Sequence, residues 1–202
     1  MSKVSRKKVA EEAARLLYLG YASNYKGAKE QASKNLNLSF LPSNFEVAEH
    51  LDEFAELMEG KKRYENLVSM RKTALKIMTL LEKHRPKLIG SVWRGTVNKK
   101  SDIDISLYSD EEHSILKVLK ERFVKINVTK PTYVLGRKTI TVTNIKTAIK
   151  GYNVEIVIRA PKDEVEEYCE IYGDAKRGLT LTELKNVLEN NPLRRFVPKR
   201  RK

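Results

Sequence analysis

The chain has 202 residues, of which 40 are Lys or Arg and 26 are Asp or Glu, so it carries a formal net charge of +14. This length fits one ordinary domain with an appendage or two small domains, and 41% hydrophobic residues suffice for a buried core. The sequence has no apolar run near the roughly 20 residues that span a bilayer, no signal-peptide pattern and a single cysteine, Cys169. We therefore expect no transmembrane helix, no internal disulfide, no membrane partner and a reducing, cytoplasmic setting.

The positive charge is concentrated at the two ends of the chain. Four basic residues among the first eight positions and six among the last nine together hold ten of the fourteen net charges. Such charge favours a polyanionic partner, either nucleic acid or a nucleotide. The alternative is a solvated tail that only increases solubility. Residues 193–202 are assigned to a basic C-terminal tail.

A helical N-terminal domain is predicted for residues 1–62. Apolar periodicity predicts a helix over residues 1–35, and Ser43 with Glu46 has the spacing of a capping box that starts a second helix, which ends near Gly60. Three tyrosines at helical spacing form either a stacking face for bases or, as is more common, part of a core or domain interface; they are Tyr18, Tyr21 and Tyr25.

A mixed α/β domain is predicted for residues 63–192. A helix begins this domain and must stop near Arg85, because Pro86 cannot continue it. The remaining pattern predicts strands at 87–91, 101–108, 124–128, 132–142 (with a turn at Gly136-Arg137) and 153–158, and helices at 111–123, 163–172 and from a capping box at Thr180 and Glu183 to about 190. We expect an α+β arrangement, in which a small mixed β-sheet is flanked by helices.

Two aspartates on one strand are the first candidates for chemistry. Asp102 and Asp104 alternate with Ile103 and Ile105, so both carboxylates point to the side opposite the core. Their Cα atoms should lie about 6.5 to 7 Å apart. Like charges held side by side resist ionisation, and a divalent cation between them relieves the repulsion. Mg²⁺ commonly uses one or two carboxylates together with phosphate oxygens and water.

A third carboxylate and a glycine-serine turn complete the candidate site. Glu155 alternates with apolar residues on a later strand, and it would share a face with the aspartates if the two strands are neighbours. Three carboxylates suit a site for two metal ions. Gly90 and Ser91 end a short strand, where backbone N–H groups can approach a phosphate. In the same connection, Arg94 and Lys100 could neutralise triphosphate charge.

Each of these features has a plainer explanation when it is taken alone. The aspartates could form only the solvent face of a strand, the Gly-Ser pair could be an ordinary turn, and a single glutamate on a strand is common. Their order along the chain and their placement on compatible elements favour the functional interpretation.

The motif resembles that of the DNA polymerase β-type nucleotidyltransferase superfamily. Gly90-Ser91, ten intervening residues and Asp102-Ile-Asp104-Ile105 fit the superfamily pattern, and Arg94-Gly95 is similar to the form in minimal nucleotidyltransferases and archaeal tRNA CCA-adding enzymes. The resemblance covers about residues 67–160. It implies the nucleotidyltransferase fold, with both aspartates binding two metal ions and a later carboxylate, here Glu155, completing the site.

The sequence also departs from these relatives. It is too short for the further domains of a CCA-adding enzyme, the interval from Asp104 to Glu155 is long, with an apparent hairpin inserted, and no base-selecting motif is present.

The resemblance implies transfer of a nucleoside monophosphate from an NTP to an acceptor hydroxyl, with release of pyrophosphate and two Mg²⁺ ions, or Mn²⁺, as cofactors. RNA, including a tRNA end, fits the charge as acceptor. The alternatives are a protein hydroxyl, as in antitoxin-like transferases, and a small molecule. Two further alternatives are not enzymes: a nucleic-acid-binding module on the same fold and a structural partner that uses the Tyr18 face.

Overall fold

The computed structural model describes residues 3–135 and 138–198, and it begins with three helices. They are α1 (Lys3–Leu19), α2 (Tyr25–Asn35) and α3 (Asn44–Glu59). The helix predicted over residues 1–35 is thus interrupted, because the chain turns at Gly20, whose φ is +84°. Of the three tyrosines, Tyr18 is buried and Tyr21 is 67% exposed, so they do not form one continuous face. The capping box predicted at Ser43 and Glu46 is confirmed.

A small core of alanines and a few larger side chains holds these three helices together. It is formed by Val9, Ala10, Ala13, Ala14, Leu16, Ala28, Ala32 and Val47. The next helix, α4 (Lys61–Leu80), follows Gly60 directly and packs instead into the main core. The predicted boundary between residues 62 and 63 therefore falls near the joint between the helical unit, α1 to α3, and the rest of the chain.

Within the described residues, the main domain contains a six-stranded mixed sheet, a separate hairpin and three more helices. The strands are β1 (Lys87–Ile89), β2 (Ile103–Tyr108), β3 (Asn127–Thr129), β4 (Thr132–Leu135), β5 (Lys138–Thr141), β6 (Thr143–Ile149), β7 (Tyr152–Arg159) and β8 (Leu179–Thr180); the helices are α5 (Gly90–Arg94), α6 (Glu112–Arg122) and α7 (Leu181–Asn190). Short 3₁₀ turns occupy Glu82–His84 and Pro161–Asp163. The mixed α/β class predicted from the sequence is confirmed.

The strand order places β2 and β7 side by side at the centre of the sheet. The order is β3-β6-β7-β2-β1-β8, with β2 and β7 parallel and the other pairs antiparallel. Strands β4 and β5 pair only with each other. The turn predicted at Gly136-Arg137 lies outside the described residues.

The two faces of the sheet have different roles. One face is apolar and packs with α4, α6 and α7 into the main core, to which β2 and β7 contribute Ile103, Ile105, Leu107, Val154, Ile156 and Ile158. The alternation of these strands leaves their polar residues on the opposite face. The described helices include none with both the length and the apolar character of a membrane span.

Residues 164–177, which we name the covering segment, lie over part of the polar face. The helix predicted at 163–172 is wrong: only Pro161–Asp163 forms a 3₁₀ turn, and Tyr168 then makes an isolated bridge with Ala175. The physical reason is that this segment is held by tertiary and local contacts. Arg159 approaches Glu167 at 3.6 Å, and the Lys176 N–H donates to the Glu167 carbonyl.

A buried arginine joins α4 to the C-terminal segment. The Arg71 guanidinium is fully buried and donates to four backbone carbonyls, those of Val92, Trp93, Pro192 and Arg194. Burial lowers the pKa of Arg71 to about 10, so it remains charged at neutral pH. Phe196 packs against the main core, so the domain boundary predicted at residue 192 falls inside a packed segment.

Candidate active site

One row of the sheet brings together two of the three predicted carboxylates, next to the predicted turn. Ile89 of β1 pairs with Asp104 of β2, Asp104 pairs with Glu155 of β7, and Glu155 pairs with Lys146 of β6. Residues directly opposite each other on neighbouring strands point to the same face. This row, which we name the carboxylate row, therefore holds Asp104 and Glu155 side by side on the polar face.

Asp104 lies in an environment that disfavours its charge. Burial, followed by the negative charges of Glu155 and Asp102, raises the pKa of the Asp104 carboxyl to about 7, while Lys146 acts in the opposite direction. A carboxylate that is both desolvated and surrounded by like charges gains most from a bound cation. The oxygen donors and their negative charge fit a hard divalent cation such as Mg²⁺.

Asp102 precedes β2, and its Oδ1 accepts a hydrogen bond of 3.2 Å from Asn153 Nδ2. Within residues 3–135 and 138–198, no group of three or more His, Cys, Asp or Glu side chains is arranged to hold one metal ion. The three predicted carboxylates are thus neighbours that repel one another, without forming a closed ligand cage.

Glu155 is held by two partners that the sequence analysis missed. The side-chain amide of Asn144 donates to Glu155 Oε1, and Lys146 Nζ lies 3.8 Å from the same oxygen. Asn144 is 9% exposed, and its Oδ1 is buried with no hydrogen-bond partner among the described residues. Both partners lie on β6, which contains no sequence motif. Their position next to Glu155 depends on the register of β6 against β7, which only the folded sheet shows.

Gly90 is required by the close approach of Asp104. Its φ is +71°, and a Cβ atom built on it would lie 2.0 Å from Asp104 Oδ2. Any larger residue would occupy the space of that carboxylate. Helix α5 begins at this glycine, and the Ser91 carbonyl accepts from the N–H groups of Gly95 and Thr96. The predicted Gly-Ser turn therefore leads directly into a short helix beside Asp104.

Arg94 is buried and contacts the covering segment and the C-terminal segment. Its side chain is about 5% exposed, with Nη2 2.7 Å from Asp174 Oδ1. Its Nη1 also donates to the Phe196 carbonyl at 2.9 Å. The guanidinium lies between the rings of Trp93 and Tyr172, at 4.3 and 4.6 Å from their centroids. The charge of Arg94 is therefore used to anchor the covering segment at Asp174.

Lys100 lies at the junction with the helical unit. Its Nζ is close to Gly20, where an added Cβ atom would come within 1.9 Å of it. The neighbouring Lys99 places its ammonium 4.4 Å from the centroid of the Tyr18 ring. The structure thus gives both lysines contacts at the end of α1.

Residues 81–177 match the family model described as a nucleotidyltransferase domain. The match includes Gly90, Ser91, both aspartates and Glu155. The match identifies a nucleotidyltransferase domain in this part of the chain, so the family resemblance seen in its motif is confirmed. No curated protein matches the sequence.

Three solved structures are similar to part of the chain. They are Cid1 poly(U) polymerase with MgGTP bound (16% identity, TM-score 0.33), Cid1 in complex with its short product ApU (14%, 0.33) and the GLD-2/RNP-8 complex (13%, 0.30). The matched regions span 57%, 55% and 57% of the length of this chain. They span only 38%, 37% and 37% of the lengths of the three solved chains, in the same order. With such low identity and overlap, we transfer no residue role from them.

Proposed function

We propose that the protein transfers a nucleoside monophosphate from an NTP to a hydroxyl group of RNA and releases pyrophosphate. The observation that carries this proposal is the carboxylate row, in which Asp104 and Glu155 are adjacent on one face of the sheet, with Gly90 close against Asp104. Asp104, the carboxylate with a raised pKa, thus lies directly beside the glycine that starts α5.

Asp102 and Asp104 are the residues that would hold divalent cations, Mg²⁺ or Mn²⁺, and we expect two ions. When bound, these ions supply positive charge that stabilises the attacking and leaving oxygens of an in-line phosphoryl transfer. Gly90 and Ser91 would bind the β- and γ-phosphates through backbone N–H groups and the Ser91 hydroxyl. The bulk of the triphosphate would then lie on the α5 side of Asp104.

Glu155 would receive the acceptor hydroxyl on the other side of Asp104. Its Oε1 is occupied by Asn144 and approached by Lys146. This leaves Oε2 to accept a hydrogen bond from the incoming hydroxyl and orient it for attack. A carboxylate in this position can also take the proton as the new bond forms.

RNA is the acceptor that the charge of the chain supports. A formal charge of +14, with four basic residues in the last four positions, favours a polyanion over a protein surface.

The test is incubation of the full chain with each radiolabelled NTP, Mg²⁺ and total cellular RNA, followed by separation of RNA and protein. We expect label in RNA and none in protein. Asp102→Asn and Glu155→Gln should abolish or strongly reduce the transfer, with Glu155→Gln lowering kcat much more than it changes KM for NTP. Glu65→Gln, on the exposed side of α4, is the matched control and should retain activity.

If protein is labelled instead of RNA, the proposed acceptor is wrong, whereas the proposed transfer of a nucleoside monophosphate still holds. Unchanged turnover in either carboxylate variant would contradict the assignment of the site. The absence of any NTP-dependent labelling with the wild-type chain and every acceptor would contradict the proposed function.

A further inference from the structure

Helix α5 carries Gly90 against Asp104, yet the helix is too short to be stable alone. It has only five residues, and its N-cap, Ile89, supplies no side-chain hydrogen bond. Isolated helices shorter than about 12 residues are marginal in water. Contacts with the rest of the chain must therefore hold α5 in the place where Gly90 meets the carboxylate.

Two arginines hold this helix in place. From the main core, Arg71 donates to two backbone carbonyls of α5, at 3.1 and 2.9 Å. On α5 itself, Arg94 contacts the covering segment, where its two Nη atoms bond the Asp174 carboxylate at 3.1 and 2.7 Å. Because Arg94 follows Gly90 by one helical turn, about 6 Å along the axis, a displacement of the arginine moves the glycine as well.

Aromatic rings fix the orientation of the Arg94 guanidinium. Its Cζ atom lies 4.3 Å from the centroid of the Trp93 ring and 4.6 Å from that of the Tyr172 ring. A planar guanidinium can stack on a ring and bond a carboxylate through two N–H groups at the same time, whereas a lysine ammonium cannot. The Arg94 side chain is 5% exposed, so losing Asp174 or a ring would leave a buried charge less well satisfied. Tyr172 and Asp174 therefore determine how Arg94, and with it α5, is held.

Tyr172 connects this arrangement to the helical unit. Its ring meets that of Phe45 edge-on, with the centroids 5.7 Å apart and the planes at 88°. Nearby, Asn44 Nδ2 donates to the Glu170 carbonyl at 3.3 Å. Phe45 and Asn44 belong to the first turn of α3, whose start is fixed by its capping box. A continuous series of contacts thus runs from α3 through Tyr172 and Arg94 to α5.

We propose that Tyr172 and Arg94 are positioning residues for the transfer and that the helical unit acts through them, an inference that rests on the proposed function. Neither side chain is assigned a contact with the substrate. They keep α5 where Gly90 and Ser91 can bind the phosphates next to Asp104. The helical unit thereby has a role in the reaction, although it contributes none of the three carboxylates.

Substitutions at Tyr172 test this role by two measurements on the full chain. Amide hydrogen exchange, followed by mass spectrometry, reports how firmly residues 90–96 are held, and steady-state kinetics with NTP and RNA report the transfer. Tyr172→Leu removes the ring from the guanidinium and should speed exchange at residues 90–96. It should also lower kcat/KM for NTP by about tenfold or more, because small misplacements of binding groups have large effects on rate. Tyr172→Phe keeps the ring and loses only the hydroxyl, so it should retain most of both properties.

Matched controls separate positioning from a general loss of stability. Tyr168→Leu makes the same change in the same segment, at a ring that is 60% exposed. In the helical unit, Phe45→Leu interrupts the series of contacts, whereas Phe54→Leu changes another ring of α3, which packs on Tyr18. We expect Phe45→Leu to act in the same direction as Tyr172→Leu, and both controls to match the wild type in exchange at residues 90–96 and in kcat/KM. Thermal melting sets a temperature at which every variant is folded.

The outcomes distinguish this inference from the proposed function. If the wild type transfers nucleotide and Tyr172→Leu changes neither measurement, the positioning role is wrong and the proposed function stands. A change in only one of the two measurements, or an equal loss in the controls, also overturns the role. If Tyr172→Leu does not fold, Phe45→Leu decides by the same criteria. A wild-type chain that transfers no nucleotide to any acceptor contradicts the proposed function, and the positioning role with it.

Discussion

Replacing Asp104 by Asn is expected to stabilise the metal-free protein, and the gain should grow with pH. In the folded chain, burial and the charges of Glu155 and Asp102 raise the pKa of this carboxyl to about 7, from an ordinary value of 3.8. Between these two values the folded state binds a proton that the unfolded state releases. The free energy of unfolding of the wild type must therefore fall as the pH rises through this interval.

The size of the effect follows from the shift in pKa. A difference of about three pKa units, at 1.36 kcal/mol each, corresponds to about 4 kcal/mol of stability lost above pH 7. Structural relaxation around the charged carboxylate makes this an upper limit. Asn has nearly the same size and does not titrate, so the variant should avoid the loss. Other carboxylates with shifted pKa, such as Glu46 and Glu112, contribute equally to both proteins and cancel in the difference.

The assay is urea denaturation of both proteins in the presence of EDTA at a series of values from about pH 4 to about pH 8. The difference in unfolding free energy should be small at the acid end and largest at the alkaline end. Added Mg²⁺ should then stabilise the wild type more than the variant, because a ligand that binds only the folded state raises its stability. A difference that does not change with pH would refute the electrostatic description of the carboxylate row.

Three other predictions concern Gly90, Arg71 and the last four residues. Gly90→Ala should leave a folded protein that has lost NTP transfer and Mg²⁺-induced stabilisation, because its Cβ atom would lie 2.0 Å from Asp104 Oδ2; normal turnover in an activity assay would contradict this close approach. Arg71→Met should lower the free energy of unfolding in urea by about 3 kcal/mol or more, because buried carbonyls lose their donor, and an unchanged midpoint would show that they find other partners. Replacing the last four residues by Ser should leave NTP affinity within about twofold and make the salt dependence of RNA binding shallower, by up to about 0.7 in log–log slope per lost contact; an unchanged slope would remove the tail from RNA binding. These four residues are Lys199, Arg200, Arg201 and Lys202, and they lie outside the described part of the chain.

The sequence predicts the elements that depend on local patterns. The capping boxes at Ser43 and Thr180 are confirmed because each needs only a hydroxyl and a glutamate three residues apart. The strands with strict alternation, β2 and β7, are found within two residues of their predicted limits. Their parallel pairing aligns Asp104 with Glu155, which alternation alone could suggest but could not establish.

Prediction from local sequence patterns fails where long-range contacts determine the structure. Residues 163–172 have helical periodicity, yet Arg94 and Arg159 hold the covering segment in an irregular path through Asp174 and Glu167. The same contact gives the Arg94 guanidinium a carboxylate partner, Asp174, that its place in the motif does not predict. Asn144 belongs to no motif, and its role depends on a register that is visible only in the folded sheet.

The contacts of Arg71 determine when the main domain can finish folding during synthesis. Two of its four acceptor carbonyls belong to residues 121 and 123 positions later in the chain. During synthesis the N-terminal part emerges first. The helical unit can fold early, whereas the guanidinium cannot be fully satisfied until Pro192 and Arg194 have left the ribosome. A nascent chain that stops short of them would contain a desolvated cation with half of its acceptors missing, so closure of the catalytic domain is delayed until its translation is nearly complete.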